Sequence, residues 1–72
     1  MAKEELYNLA KTYVSVIEQI EKTADAERLV LLEEYRASLH NQLIDELKQR
    51  GIPFRDRNDV TRLAYLFART LE

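Results

Sequence analysis

The chain has 72 residues, 33% of them charged and 46% apolar, a balance typical of one small globular domain. Because cysteine is absent, disulfides, thiol nucleophiles and cysteine-based zinc sites are excluded. The longest run of large apolar residues, at 29–32, is far shorter than the roughly 20 residues of a membrane span, and the acidic start lacks the apolar segment of a signal peptide. We therefore expect a cytoplasmic protein that does not associate with membranes.

The small size of the chain predicts self-association. A chain of this length buries only about 60% of the surface that its unfolded form exposes, so one copy alone has a marginal core. Disulfides are excluded and no metal cluster is evident in the sequence. Tight helix packing and oligomerisation are the remaining common sources of stability. We expect a homodimer.

A first helix is predicted over residues 3–22, where apolar residues recur at spacings of three and four and polar residues occupy the opposite face. A second helix is predicted over residues 25–50. Gly51 suits the left-handed residue that follows many helices, and Pro53 prevents continuation. This helix end is the most sharply defined boundary in the sequence.

The joint between these two helices leaves an alternative open. No Gly or Pro interrupts residues 3–50, so one continuous helix also fits the composition. The first apolar stripe would continue onto Thr23 and Glu27, however, whereas the second stripe restarts at Leu29. Thr23 and Asp25 are both residue types that favour helix N-caps. We therefore expect a helical hairpin with a joint near residues 22–25.

A third helix is predicted over residues 58–71, with Asp56 or Asn58 as its cap. Its buried stripe is expected to contain Val60, Leu63, Ala64, Phe67 and Leu71, with Leu66 at the margin. The predicted fold class is all-α. It consists of a helical hairpin with a long central helix, plus a shorter third helix, in one domain over residues 1–72 that assembles as a dimeric bundle.

Three polar residues of the second helix, Glu33, Arg36 and His40, fall in the middle of an unusually wide apolar arc. One interpretation is an ion pair along the helix that reaches solvent. The other places this polar line across a two-fold axis, where it would fix the register of a dimer. The predicted dimer or partner interface is Leu29, Leu32, Glu33, Arg36, Leu39, His40 and Leu43.

The sequence offers little for catalysis. His40 is the only histidine, no HExxH pair is present, and no serine has a histidine placed to activate it. We expect no enzyme activity, no cofactor and no metal site; a metal-dependent enzyme is a distant third interpretation.

Charge is distributed unevenly along the chain. Residues 1–47 hold five basic and ten acidic groups, a balance of −5, whereas residues 48–72 hold six basic and three acidic groups, a balance of +3. Arginines beside an aromatic ring can contact phosphates and stack on bases. The candidate nucleic-acid contacts are Arg55, Arg57, Arg62, Tyr65 and Arg69.

The preferred functional hypothesis is a small non-enzymatic interaction protein, a regulator or adaptor of bacterial or phage type. It acts through protein–protein contacts and self-association. The alternative is a nucleic-acid-binding regulator that uses the Arg-rich segment 48–69, although a pI of about 5.4 does not favour broad nucleic-acid binding.

Overall fold

The computed structural model describes residues 2–70, with side chains from residue 5 to residue 69. It contains three α-helices: α1 (Ala2–Lys22), α2 (Ala26–Gln49) and α3 (Arg57–Thr70). Within residues 2–70 no strand is present, so the prediction of an all-α, three-helix unit is confirmed. The predicted end of the third helix at Leu71 lies outside the described residues.

A break at residues 23–25 separates α1 from α2 and makes the two helices a hairpin. The Thr23 hydroxyl donates to the Gln19 carbonyl at 2.6 Å, at the end of α1. Asp25 has an extended backbone and accepts a hydrogen bond from the Glu27 backbone N–H at 3.0 Å. Asp25 is therefore the N-cap of α2 rather than its first helical residue, which corrects the predicted start by one position.

The end of α2 has the predicted geometry. Gly51 has a φ of 69°. The Ile52 N–H donates to the Leu47 carbonyl at 2.9 Å, and the Gly51 N–H donates to the Lys48 carbonyl at 3.2 Å. This pair of hydrogen bonds is the Schellman motif, which satisfies carbonyls that have no partner further along the helix. Arg50, predicted as the last helical residue, is the C-cap.

Two aspartates fix the start of α3. The Asp56 carboxylate accepts from the Asp59 N–H at 2.9 Å, and the Asp59 carboxylate accepts from the Arg55 N–H at 3.0 Å. These hydrogen bonds satisfy one donor in the first turn of the helix and one donor in the loop before it. Asp56 is thus the cap. The alternative cap, Asn58, lies inside the first turn, because α3 begins one residue earlier than predicted.

The core forms around α1, which packs along both other helices, whereas α2 and α3 contact each other over a shorter stretch. Tyr13, Leu43, Leu47 and Val60 are its largest fully buried side chains. The buried apolar set takes residues from all three helices: Leu6, Ala10, Tyr13, Val16, Leu39, Leu43, Leu47, Val60 and Ala64.

Burial is graded along α2. Its fully buried residues, from Leu39 to Leu47, all lie in the second half of the helix. In the first half, Leu32 packs against the core only in part. Val30, Leu31 and Tyr35 remain 58%, 67% and 50% exposed. The first half of α2 therefore presents large apolar side chains to solvent. Among residues 2–70, no helix has both the length and the apolar character needed to cross a membrane.

Candidate functional site

A polar pocket lies where the middle of α2 meets the first turn of α3. Its volume is about 160 Å³. Arg36 and Arg57 both line this pocket. The sequence assigned Arg36 to the predicted dimer interface and Arg57 to the candidate nucleic-acid contacts. The other lining residues are Ala37, His40, Asn58 and Thr61. The fold thus brings part of the predicted polar line together with one of the predicted nucleic-acid contacts.

His40 forms the floor of this pocket and is only 5% exposed. Its Nε2 lies 3.3 Å from the Arg57 carbonyl oxygen. A carbonyl can only accept, so Nε2 carries the proton in this hydrogen bond. The imidazole also packs against the Tyr13 ring, with centroids 5.7 Å apart. His40 is therefore a positioned residue that ties α2 to the start of α3.

A second polar contact supports the same corner. The Thr61 hydroxyl donates to the Arg57 carbonyl at 3.3 Å and lies 3.1 Å from the Tyr13 hydroxyl. Because the Thr61 proton is directed to the carbonyl, the Tyr13 hydroxyl donates to Thr61. The Arg57 carbonyl consequently accepts from both His40 and Thr61, which fixes the first turn of α3 against the other two helices.

Arg36 and Glu33 form an ion pair within α2. Arg36 Nε donates to Glu33 Oε1 at 3.0 Å, and the two side chains are 37% and 49% exposed. The hydrogen bond to Glu33 is the main cause of a raised Arg36 pKa; burial opposes it and Tyr13 adds to it. Exposed pairs at this spacing contribute only a few tenths of a kcal/mol. The contact is the ion pair along the helix that the first interpretation of the polar line predicted.

The remaining residues of the predicted interface are buried or half-buried within the chain. Leu39, His40 and Leu43 are buried against helices of the same chain, and Leu29 and Leu32 are half-buried. The outward apolar residues of α2 are instead Val30, Leu31 and Tyr35, which the predicted interface did not include. The wide apolar arc was the signal for them, but the sequence does not show which part of that arc the other helices cover.

The candidate nucleic-acid contacts do not all lie on one surface. Arg62, Tyr65 and Arg69 share one exposed face of α3, as predicted, and Leu66 is exposed beside them. Arg62 forms an ion pair with Asp59. Arg57 lines the pocket instead, and Arg55 is an exposed residue of the preceding loop.

One carboxylate and one phenol near this face have shifted pKa values. The pKa of Asp59 is lowered, first by the hydrogen bond from the Arg55 backbone N–H and then by Arg62. The pKa of Tyr65 is raised by partial burial and then by Glu21 and Glu18, whose negative charges oppose formation of the phenolate. Acidic groups of α1 therefore act on Tyr65 at the edge of the basic face.

Comparison of the chain with family models, with curated proteins and with solved structures finds no match. The functional argument accordingly depends on the pocket, the exposed faces and the charges described above.

Proposed function

We propose that this protein is a non-enzymatic interaction module that pairs with a second copy of itself in the cytoplasm, acting as a small regulator or adaptor. The contact joins two surfaces. The α2 patch consists of the exposed residues Glu27, Val30, Leu31, Glu34 and Tyr35. The α3 patch consists of Arg62, Tyr65, Leu66 and Arg69.

Complementary charge is the observation that carries this proposal. The acids of the α2 patch are Glu27 and Glu34, which lie beside large apolar side chains. The basic groups of the α3 patch are Arg62, which already pairs with Asp59 of its own chain, and Arg69, which supplies the charge for the contact. Packing one patch on the other buries apolar area and brings unlike charges together, which favours the correct partner.

Exposed apolar side chains on both patches support an unfilled interface. Val30 and Leu31 of the α2 patch are 58% and 67% exposed, and Leu66 of the α3 patch is 51% exposed. Neighbouring large apolar side chains that one chain leaves in water are typical of surfaces that bind a partner.

Two-fold symmetry permits a closed assembly. Each copy carries one α2 patch and one α3 patch, so a two-fold axis forms the same contact twice. The dimer then covers Leu31 and Leu66 of both copies and leaves neither an α2 patch nor an α3 patch exposed. Regulators and adaptors of this size depend on such contacts because a single small core leaves little stability to spare.

A charge-reversal experiment tests the proposal by sedimentation equilibrium. We expect Glu34→Arg and Arg69→Glu each to weaken the dimer at least tenfold, about 1.4 kcal/mol, and the double variant to recover most of the loss. Asp45→Arg is the matched control: it makes the same charge change on an exposed residue about three turns further along α2. A wild-type monomer at about 100 micromolar, or a double variant no stronger than the single variants, would contradict the proposal.

One observation favours the alternative of a nucleic-acid-binding regulator. Arg62, Tyr65 and Arg69 lie on one exposed face, where arginines can contact phosphates and a tyrosine can stack on a base. Titration with a single-stranded oligonucleotide at two salt concentrations tests it. Binding that weakens steeply with salt and is lost in Arg69→Glu supports this function, and binding that is absent at low salt removes it.

A further inference from the structure

We propose that the pocket between α2 and α3 binds a small oxyanion of the phosphate class. The ligand groups are the guanidinium groups of Arg36 and Arg57 and the Asn58 amide, which lie beside the Thr61 hydroxyl and the buried imidazole of His40. None of these residues belongs to the α2 patch or the α3 patch, so the inference stands independently of the proposed dimer.

Charge is the first argument. The whole chain has a formal net charge of −2, yet the residues that line this pocket include two arginines and no carboxylate. Glu33 on α2 accepts the Nε–H of Arg36 and offsets much of its charge. A guanidinium has four further N–H groups, which suit a phosphate that accepts at several oxygens. The pocket thus brings two guanidinium groups together as hydrogen-bond donors, with no carboxylate among its lining residues.

The position of α3 brings two of the lining residues together. Arg57 and Asn58 are the first two residues of α3 and both line the pocket. The Asp56 carboxylate already accepts the Asp59 N–H in this first turn, so the donors that α3 offers to a ligand are the side chains of Arg57 and Asn58.

Hydrogen bonds and ring packing hold the floor of the pocket. His40 is held by its hydrogen bond to the Arg57 carbonyl and by the Tyr13 ring, and Thr61 is held by the same carbonyl. These contacts join α2 to the first turn of α3, the two elements that carry Arg36 and Arg57. A pocket whose backbone framework is already in place loses less conformational entropy on binding.

Volume decides the size of the ligand. The pocket of about 160 Å³ has room for several water molecules. Pockets for drug-sized molecules are about twice as large or more. The pocket therefore accommodates one oxyanion or the phosphate group of a larger molecule whose remainder stays in solvent.

NMR titration of the full chain tests the proposal with two probes, inorganic phosphate and adenosine monophosphate, at constant ionic strength. We expect saturable shifts of the backbone signals of residues 36–40 and 57–61 with either probe. Arg57→Gln should weaken binding at least tenfold. Arg55→Gln is the matched control, because Arg55 is an exposed arginine two positions away that does not line the pocket.

The outcomes separate clearly. Binding of both probes assigns the pocket to phosphate monoesters, and binding of inorganic phosphate alone assigns it to the free ion. Shifts that do not saturate, or that fall equally in Arg57→Gln and Arg55→Gln, would overturn the proposal in favour of general attraction to the basic segment. Circular dichroism of each variant confirms that the helices remain, so that lost binding reports on the pocket.

Discussion

The Tyr13 hydroxyl donates to the Thr61 hydroxyl at 3.1 Å, across a sequence separation of 48 residues. Tyr13 is fully buried in α1. This hydrogen bond joins the first helix to the third, and Thr61 continues it to the same carbonyl that His40 binds from α2. One short chain of polar contacts therefore connects all three helices beside the candidate anion pocket.

Removing this hydroxyl should have a measurable cost. Tyr13→Phe deletes the donor to Thr61 while keeping the ring that packs in the core, so we expect a loss of about 0.5–1.5 kcal/mol in the free energy of unfolding. Chemical denaturation measures it. Tyr35→Phe, at an exposed position of α2, is the matched control and should change stability by less than about 0.5 kcal/mol. Equal losses in the two variants would show that the hydrogen bond contributes nothing.

The end of α2 gives a second prediction. At Gly51, with its φ of 69°, a Cβ would meet no atom within 4 Å, so the cost of substitution arises from the backbone alone. We expect Gly51→Val to destabilise the fold by about 1–2 kcal/mol or more. Gly51→Asn should cost less, because asparagine enters the left-handed region more readily. Denaturation midpoints that are the same for Val and Asn would contradict this reason.

Arg36→Glu distinguishes two dimer geometries. A two-fold seam through Glu33 and Arg36 predicts at least a tenfold loss of dimer affinity, about 1.4 kcal/mol, because acids would face acids. The proposed contact between the α2 patch and the α3 patch leaves Arg36 outside the interface. We therefore expect a small decrease in stability, a few tenths of a kcal/mol, and an unchanged dependence of the melting temperature on concentration. Melting curves at several concentrations measure both.

The Asp59 carboxylate in the first turn of α3 predicts a pH dependence. The pKa of Asp59 is lowered in the folded chain, so its ionised form stabilises the fold above the ordinary value of 3.8 and this contribution is lost as the pH falls through the lowered pKa. We expect Asp59→Asn to melt below wild type at neutral pH, with the difference closing in acid. Asp45→Asn, an exposed carboxylate elsewhere, serves as control and should not show this change. A difference that persists at low pH would point to packing rather than charge.

Most of the fold could be predicted because its signals are local. The Gly51 end of α2, the cap at Asp56 and the break before α2 each depend on a few neighbouring residues, and all three have the expected chemistry in the structure. The described helix ends differ from the predicted ones by at most one position, because capping residues such as Asp25 and Arg50 lie at the limit of a helix.

The candidate site was less predictable because it depends on how the helices pack. A helical wheel shows that α2 is apolar over a wide arc but not which part α1 covers. Leu39 and Leu43 therefore joined the predicted interface although they are buried, whereas Leu31 did not although it is exposed. The pocket brings together Arg36 and Arg57, which lie on different helices. No periodic spacing in the sequence indicates that these two residues are neighbours.

The graded burial of α2 has a consequence for its dynamics. Residues 26–38 include no fully buried side chain, so few tertiary contacts protect their backbone hydrogen bonds, whereas residues 39–47 are anchored in the core. We expect amide hydrogens of the first half to exchange with solvent at least tenfold faster than those of the second half, and to slow when the chain is concentrated enough to pair. Local opening and partner binding would then compete for the same turns of helix, and amide exchange would report the occupancy of the interface directly.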